Sequence, residues 1–259
     1  MKKVMVLVLA AACLSFRVCA ADDGRGELAA VSAKYKDHAE KIEAYRDIAK
    51  RYPAVAGDAL LAAAWNYALL KNVAEAKAVA EGVIRDYPGS TNAVVGAMTC
   101  KAWCLISENK CGDALAVYDA CLRDYPGVYT ASVKRGKASC YFYGLKNAAA
   151  GIAESREAIA LTPPGDESLK ASLGLAWMLA RSGNKAEASA ACHDAVLKNA
   201  GAVGATPEIE NAFGQVDPVA LGIGRYREFL TGILLRVPAT EANAKFLGRV
   251  KSEFEKVKE

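Results

Sequence analysis

The amino-acid sequence predicts an all-α protein built from repeated helical hairpins, and three observations support this prediction. From Leu169 to Asn199, apolar residues recur at spacings of three or four in two runs, which Ser182-Gly183-Asn184 separates. Prolines that follow such runs recur at nearly constant intervals along the chain. Alanine is abundant and runs of β-branched residues are few, which favours helices over strands.

The stretch from Leu169 to Asn199 shows why two helices should pair. Four side chains fall on shared buried stripes: Leu175, Leu179, Cys192 and Ala195. Small residues at Ala176 and Ala188 let the two helices approach closely, and Gly183 can adopt the positive φ that ends the first helix. One such hairpin cannot bury its own apolar face, so neighbouring copies have to stack on it.

Copies of this hairpin precede it at a regular period. The second helices end at Pro53, Pro88, Pro126 and Pro163, which lie 35, 38 and 37 residues apart. The turns within the hairpins recur at Lys71-Asn72, Asn109-Lys110, Lys146-Asn147 and Gly183-Asn184. The small residue of the second helix recurs as Ala76, Ala114, Gly151 and Ala188. Several landmarks at one period predict a repeat protein.

The pattern from Leu175-Ala176 through Gly183 to Glu187-Ala188 resembles the tetratricopeptide repeat (TPR), a helix-turn-helix unit. The resemblance implies a right-handed α-solenoid of TPR-like helical hairpins, with degenerate capping units at both ends. It also implies a binding scaffold and not an enzyme. The Tyr-Pro endings resemble those of bacterial envelope TPR proteins, which implies an envelope protein or peptide segment as the partner.

The chain is accordingly divided into four regions: a signal peptide over residues 1–20, a degenerate hairpin over 21–53, four TPR-like repeats over 54–200 and a helical capping region over 201–259. Within the capping region, Asp217-Pro218 predicts the start of a helix that runs to Arg236. A last helix is predicted from Thr240 to Val257.

The first twenty residues have the pattern of a secretory signal peptide. Lys2 and Lys3 form a basic start, an apolar run follows, and Val18-Cys19-Ala20 provides a small-residue cleavage site. This predicts a periplasmic or secreted protein. An outer-membrane lipoprotein anchored at Cys13 is the alternative, although Ala10 is smaller than usual for that motif. No later segment is apolar for long enough to span a membrane.

The charge balance argues against nucleic acid as a partner. The formal net charge is +4, and removal of the leader leaves 30 basic and 29 acidic side chains. A protein that neutralises several phosphates needs a broad basic surface. No such excess remains in the processed chain.

All three tryptophans, Trp65, Trp103 and Trp177, occupy one repeat position, and Cys140 takes the matching place in the third repeat. The resemblance implies that this position faces the concave groove, whereas packing between successive first helices is the competing interpretation. If this position faces the groove, further groove positions are Leu61, Leu69, Thr99, Ile106, Tyr143, Lys170, Leu173 and Arg181.

Six cysteines remain after the leader, in a compartment that is expected to be oxidising. Cys104 can meet Cys111 across a hairpin turn, and Cys121 can reach Cys140 in the next repeat; buried free thiols are the alternative. His193 is expected to be solvated. No metal-ligand spacing, nucleophile motif or phosphate loop occurs, so no metal, cofactor or catalytic residue is predicted.

Together these features predict a non-catalytic protein–protein interaction scaffold of the cell envelope, which binds a partner segment in the concave groove. The alternative is a glycan or small-ligand binding protein that uses the row of Trp65, Trp103 and Trp177, the tryptophan ladder. The two differ in whether sugars alone change the tryptophan emission.

Overall fold

The computed structural model describes residues 23–199 and 206–257. Every regular element in these residues is helical and none is a β-strand, so the predicted all-α class is confirmed. None of the helices in this part of the chain is both long and apolar enough to cross a membrane. The chain divides into two compact units after Ala97. The predicted signal peptide, with Cys13, lies outside the described residues.

The described part of the first unit begins at Asp23. It contains α1 (Arg25–Lys34), α2 (His38–Arg51), α3 (Ala56–Leu69), α4 (Val73–Asp86) and the first part of α5 (Thr91–Ser107). The Asp37 carboxylate caps α2 by accepting hydrogen bonds from the amides of Ala39 and Glu40 at 2.8 and 3.1 Å. Successive helices from α2 to α4 pack against each other as hairpins.

Small residues let the helices of the first unit pack closely. Ala59 and Ala63 of α3 are fully buried in a cluster that also contains Tyr45 and Ile48 of α2. On α5, the absence of a side chain at Gly96 leaves room for a methyl group of Leu61. Any larger side chain at these positions would push the helices apart.

The second unit continues the series of hairpins after the remainder of α5. Its hairpin helices are α6 (Cys111–Asp124), α7 (Thr130–Ser139), α8 (Ala148–Ala160), α9 (Asp166–Arg181) and α10 (Lys185–Lys198). A π-helical turn over Cys140–Gly144 extends α7. Successive helices from α7 to α10 pack together, as stacked TPR-like hairpins require.

The four turns within the predicted repeats share one backbone conformation. Lys71, Asn109, Lys146 and Gly183 all have positive φ angles, of 60°, 61°, 56° and 85°. In each turn the next residue donates its amide hydrogen to a carbonyl of the first helix, at 2.8–3.0 Å. Left-handed residues of this kind commonly end helices, and Gly183 was predicted to be one.

The third repeat differs from the others by one residue. The closing hydrogen bond joins residues five apart in the other three turns, but in the third turn the Asn147 amide donates to the Tyr141 carbonyl, six residues earlier. The π turn accommodates the extra residue, since its hydrogen bonds skip one more residue than those of an α-helix. The turn therefore rotates Cys140 relative to the tryptophans of the other repeats.

The C-terminal region is part of the core of the second unit. Its helices are α11 (Thr206–Phe213), α12 (Pro218–Leu221), α13 (Ile223–Arg236) and α14 (Ala244–Lys256). Phe229, Leu230 and Ile233 are fully buried in a cluster shared with α9, α10 and α14. The predicted continuous helix from Pro218 to Arg236 is wrong, because Gly222 interrupts it with a φ of 85°.

Candidate functional site

The three tryptophans of the predicted ladder lie on first helices of the repeats. Trp65 belongs to α3 in the first unit, whereas Trp103 on α5 and Trp177 on α9 belong to the second. All three side chains are half-buried. Cys140, in contrast, is fully buried, because the π turn directs it into the core. The competing interpretations of the tryptophans, packing and groove, both remain open.

In the second unit, Trp177 belongs to an aromatic cluster with Phe142 and Tyr143. The Trp177 ring lies 5.3 Å from the Tyr143 ring and 6.0 Å from the Phe142 ring, between centroids. Phe142 and Tyr143 meet edge to face at 5.1 Å. The guanidinium of Arg181 lies 4.8 Å from the centre of the Trp177 ring. Three predicted groove residues, Tyr143, Trp177 and Arg181, are thus brought together.

The π turn explains how the cluster forms. It carries Phe142 and Tyr143, and one turn of α9 separates Trp177 from Arg181. Opposite the turn, Gly151 of α8 lies so close to Phe142 that a Cβ there would come within 2.9 Å of the phenylalanine Cβ. Phe142 did not appear among the predicted site residues, because the sequence alone does not show the extra residue in the turn.

The aromatic cluster is open to solvent on one side. Tyr143 is 44% exposed, and Leu145, two residues further along the chain, is 48% exposed. Partial burial of the Tyr143 side chain raises the pKa of its hydroxyl, and the nearby positive charge of Arg181 opposes this effect. Arg181 makes no ion pair with a carboxylate among the described residues. The surface can therefore offer both aromatic contacts and a positive charge to a ligand.

The other predicted groove residues of the second unit have different surroundings. Thr99 is buried and Ile106 is half-buried. Lys170, Leu173 and Trp177 line a cavity of about 170 Å³, which Asn211, Ala212 and Gln215 close from the C-terminal side. The segment around α11 thus covers the early part of α9, an arrangement that the sequence did not predict.

The first unit contains a larger cleft of about 870 Å³. Tyr35 and Tyr67 contribute aromatic rings, while Glu40, Glu43 and Asp47 of α2 contribute carboxylates. Leu69 is 61% exposed, and Leu61 packs on Gly96. The carboxylates follow each other at spacings of three and four, so they share one face of α2. Sequence reasoning did not identify this cleft.

The six cysteines within the described residues are all buried, and none is in a disulfide. The Cys100 thiol lies near that of Cys104, and the Cys111 thiol lies near that of Cys140. Burial, and to a smaller extent the nearby Cys111 thiol, raises the pKa of Cys140 to about 12. The predicted pairs Cys104–Cys111 and Cys121–Cys140 remain predictions, although the structure puts Cys111 next to Cys140.

The prediction that His193 is solvated is wrong. The side chain is buried, and its Nδ1 and Nε2 atoms lie 2.9 Å from Asp194 and 3.2 Å from Glu228. Glu228 belongs to α13, which packs on α10 and thereby covers the histidine. The sequence did not show that packing, so the ring appeared to face water.

Comparison with known proteins identifies one stretch of the chain. Residues 58–90 match the family model of the tetratricopeptide repeat. These residues contain α4 and nearly all of α3, so the match supports the TPR family for the hairpin that holds Trp65. A search of curated proteins found no match to the chain. The TPR is in general a protein-interaction module, and the match supports that general function.

Proposed function

We propose that the protein is a non-catalytic scaffold of the bacterial cell envelope, which binds a segment of a partner protein. The single observation that best supports this function is the half-exposed aromatic cluster of Phe142, Tyr143 and Trp177, with Arg181 beside it. We place the binding site at this cluster. Aromatic and arginine side chains are enriched at the energetically important centres of protein interfaces. Trp103 occupies the same repeat position as Trp177 and lies on α5 in the same unit.

The physical basis of the proposal is the low cost of ordering these side chains. Tyr143 and Trp177 already hold each other in place, so a partner does not have to immobilise them on binding. Arg181 is held over the Trp177 ring and still lacks a carboxylate partner among the described residues. A partner segment can thus gain apolar contact with the rings and electrostatic attraction to the guanidinium.

Site-directed photocrosslinking in the producing bacterium tests this proposal. A photoreactive residue at Leu145, next to the cluster, should capture a defined envelope protein, whereas one at the exposed Tyr129 should not. Combined Tyr143→Ala and Trp177→Ala changes should abolish the capture, and Tyr129→Ala is the matched control. Helical circular dichroism must first show that each variant folds. Equal capture by all variants would contradict the assigned site.

Glycan binding is the second candidate function, and the open face of the Tyr143 and Trp177 rings favours it. Sugar rings stack on exposed aromatic side chains through their apolar faces. In that case soluble glycans should change the tryptophan emission of the purified protein, and Trp177→Ala should remove the change. A response to glycans without any protein capture would favour this candidate over the scaffold.

The envelope location depends on residues 1–20 and is part of the same proposal. Fractionation of cells and N-terminal sequencing of the isolated protein should show export and cleavage after Ala20 or Ala21. A lipid-modified Cys13 at the new N-terminus would instead establish the lipoprotein alternative. An uncleaved chain in the cytoplasm would contradict both.

A further inference from the structure

Cys111 and Cys140 meet inside the second unit. Cys111 is the first residue of α6, and Cys140 is the first residue of the π turn. Their thiol groups lie near each other, with Cys140 fully buried and Cys111 6% exposed. Two neighbouring thiols in a packed core need only a small movement to reach the short separation of a disulfide.

The backbone around the two cysteines brings them together. Helix α6 packs directly against the π turn. The Cys111 sulfur fills the space beside Gly144 at the end of the turn, where a Cβ would overlap with it. The extra residue of the turn directs Cys140 inward, towards Cys111. Their proximity thus depends on the same π turn that carries Phe142 and Tyr143.

Other pairings of these cysteines have weaker geometry. Cys100 and Cys104 are also near each other, but they lie one turn apart on α5, where the two Cα–Cβ bonds run nearly parallel. The pairings Cys104–Cys111 and Cys121–Cys140 would each use one of the two neighbouring cysteines Cys111 and Cys140. Disulfide geometry therefore favours Cys111–Cys140 over the other candidate pairs.

We propose that Cys111 and Cys140 form a disulfide that fastens the start of α6 to the π turn. The oxidant is a low-molecular-weight disulfide or a disulfide-donating oxidoreductase. One cysteine thiolate attacks a donor sulfur, forms a mixed disulfide and expels the first donor thiolate. The second cysteine thiolate attacks the protein sulfur of the mixed disulfide. This step forms the bond between Cys111 and Cys140 and expels the second donor thiolate. The two cysteine protons pass to the released thiolates, so two thiols are oxidised while one disulfide is reduced.

Burial determines when this reaction takes place. The attacking species is the thiolate, and burial disfavours it at Cys140 in the folded chain. The folded, reduced protein should therefore react slowly, whereas a folding chain exposes both thiols and reacts readily. The bond should then persist, because the surrounding core excludes reductants. The closed loop, residues 111–140, contains α6 and α7, and the bond restricts that loop in the unfolded chain.

Refolding of the full chain tests the proposal. The reduced, unfolded protein is refolded in a mixture of reduced and oxidised glutathione, the remaining thiols are alkylated, and the protein is digested with trypsin without reductant. The expected product links peptide 111–123 to peptide 138–146. Because peptide 111–123 contains both Cys111 and Cys121, two variants identify the sulfur involved. The link should survive in Cys121→Ala and disappear in Cys111→Ala.

Three results would overturn the proposal. They are a link that survives Cys111→Ala, a link between Cys104 and Cys111, or a fully alkylated Cys140 in a refolded protein of native circular dichroism. Thermal unfolding gives an independent measurement. The oxidised protein should unfold several degrees above the reduced protein, and Cys111→Ala should remove this difference while Cys104→Ala keeps it. Equal unfolding temperatures for the oxidised and reduced forms would contradict the fastening role.

Discussion

The backbone amide of Gly165 donates a hydrogen bond of 2.9 Å to the side-chain oxygen of Asn199, 34 residues further along the chain. The Nδ2 group of the same side chain donates to the Ala195 carbonyl at 2.7 Å. Asn199 is almost completely buried, so its polar groups have exchanged water for these two partners. The side chain thus ties the residue before α9 to the end of α10.

Replacement of Asn199 by alanine should destabilise the protein by about 1–3 kcal/mol, because the part-buried Gly165 amide loses its acceptor. The free energy of unfolding in urea, followed by circular dichroism, measures this effect. Asn184→Ala is the matched control, since Asn184 is exposed and its side chain does not cap α10. A similar loss in both variants would show that the buried hydrogen bond is not the cause.

The turns of the repeats provide a second prediction, with opposite signs at two equivalent positions. Gly183→Ala should lower the free energy of unfolding by about 1–2 kcal/mol, because alanine disfavours positive φ. No heavy atom lies within 4 Å of the added Cβ, so a clash cannot explain the loss. Lys146→Gly should raise the free energy of unfolding by less than about 1 kcal/mol, since glycine also gains freedom in the unfolded chain. A destabilised Lys146→Gly variant would contradict this account.

The features that the sequence predicted correctly depend on local rules. The turns at Lys71, Asn109, Lys146 and Gly183 were found from their spacing, since a helical hairpin needs a left-handed residue at the same place in each copy. The last helix was also found, with Phe246 and Val250 buried on its apolar stripe. The all-α class follows from such patterns because they repeat at every copy.

The features that were missed depend on contacts between distant segments. The interval from Trp103 to Cys140 equals that from Cys140 to Trp177, so the spacing does not indicate that a π turn shifts Cys140 inward. Phe142 joins Trp177 only because of that turn. The burial of His193 depends on the packing of α13 onto α10, which no local pattern encodes.

A third prediction concerns ion pairs between α6, α7 and α8. The Lys137 ammonium, with its side chain only 12% exposed, lies 2.8 Å from Asp119 and 3.0 Å from Glu154. Burial alone would lower the pKa of Lys137, but its bonds to the two carboxylates raise it well above the ordinary value. Glu154 also lies 3.2 Å from the Lys134 ammonium.

Glu154→Gln should therefore lower the free energy of unfolding by about 1–2 kcal/mol, because two largely buried ammonium groups lose a shared charge. Glu157→Gln is the control. Among the described residues, the exposed Glu157 forms an ion pair with Lys134 alone, and water screens this contact, so its loss should be clearly smaller. Urea unfolding of both variants near neutral pH makes the comparison. Equal losses would mean that the burial of the network does not matter.

The last prediction concerns acid stability in the first unit, where Glu27 of α1 bonds to the end of α2. Hydrogen bonds from Arg51 and then Tyr52 lower the pKa of Glu27 from 4.5 to about 2. Between these two values the unfolded chain binds the extra proton and the folded chain does not, so stability falls as the pH falls. The contribution of Glu27 is complete above about pH 4.5 and is lost towards pH 2.

Glu27→Gln should therefore be less stable than the native chain near neutral pH, and the two should converge as the pH approaches 2. Thermal unfolding over a pH series measures the difference, and a constant gap at every pH would assign the effect to lost packing instead of lost charge.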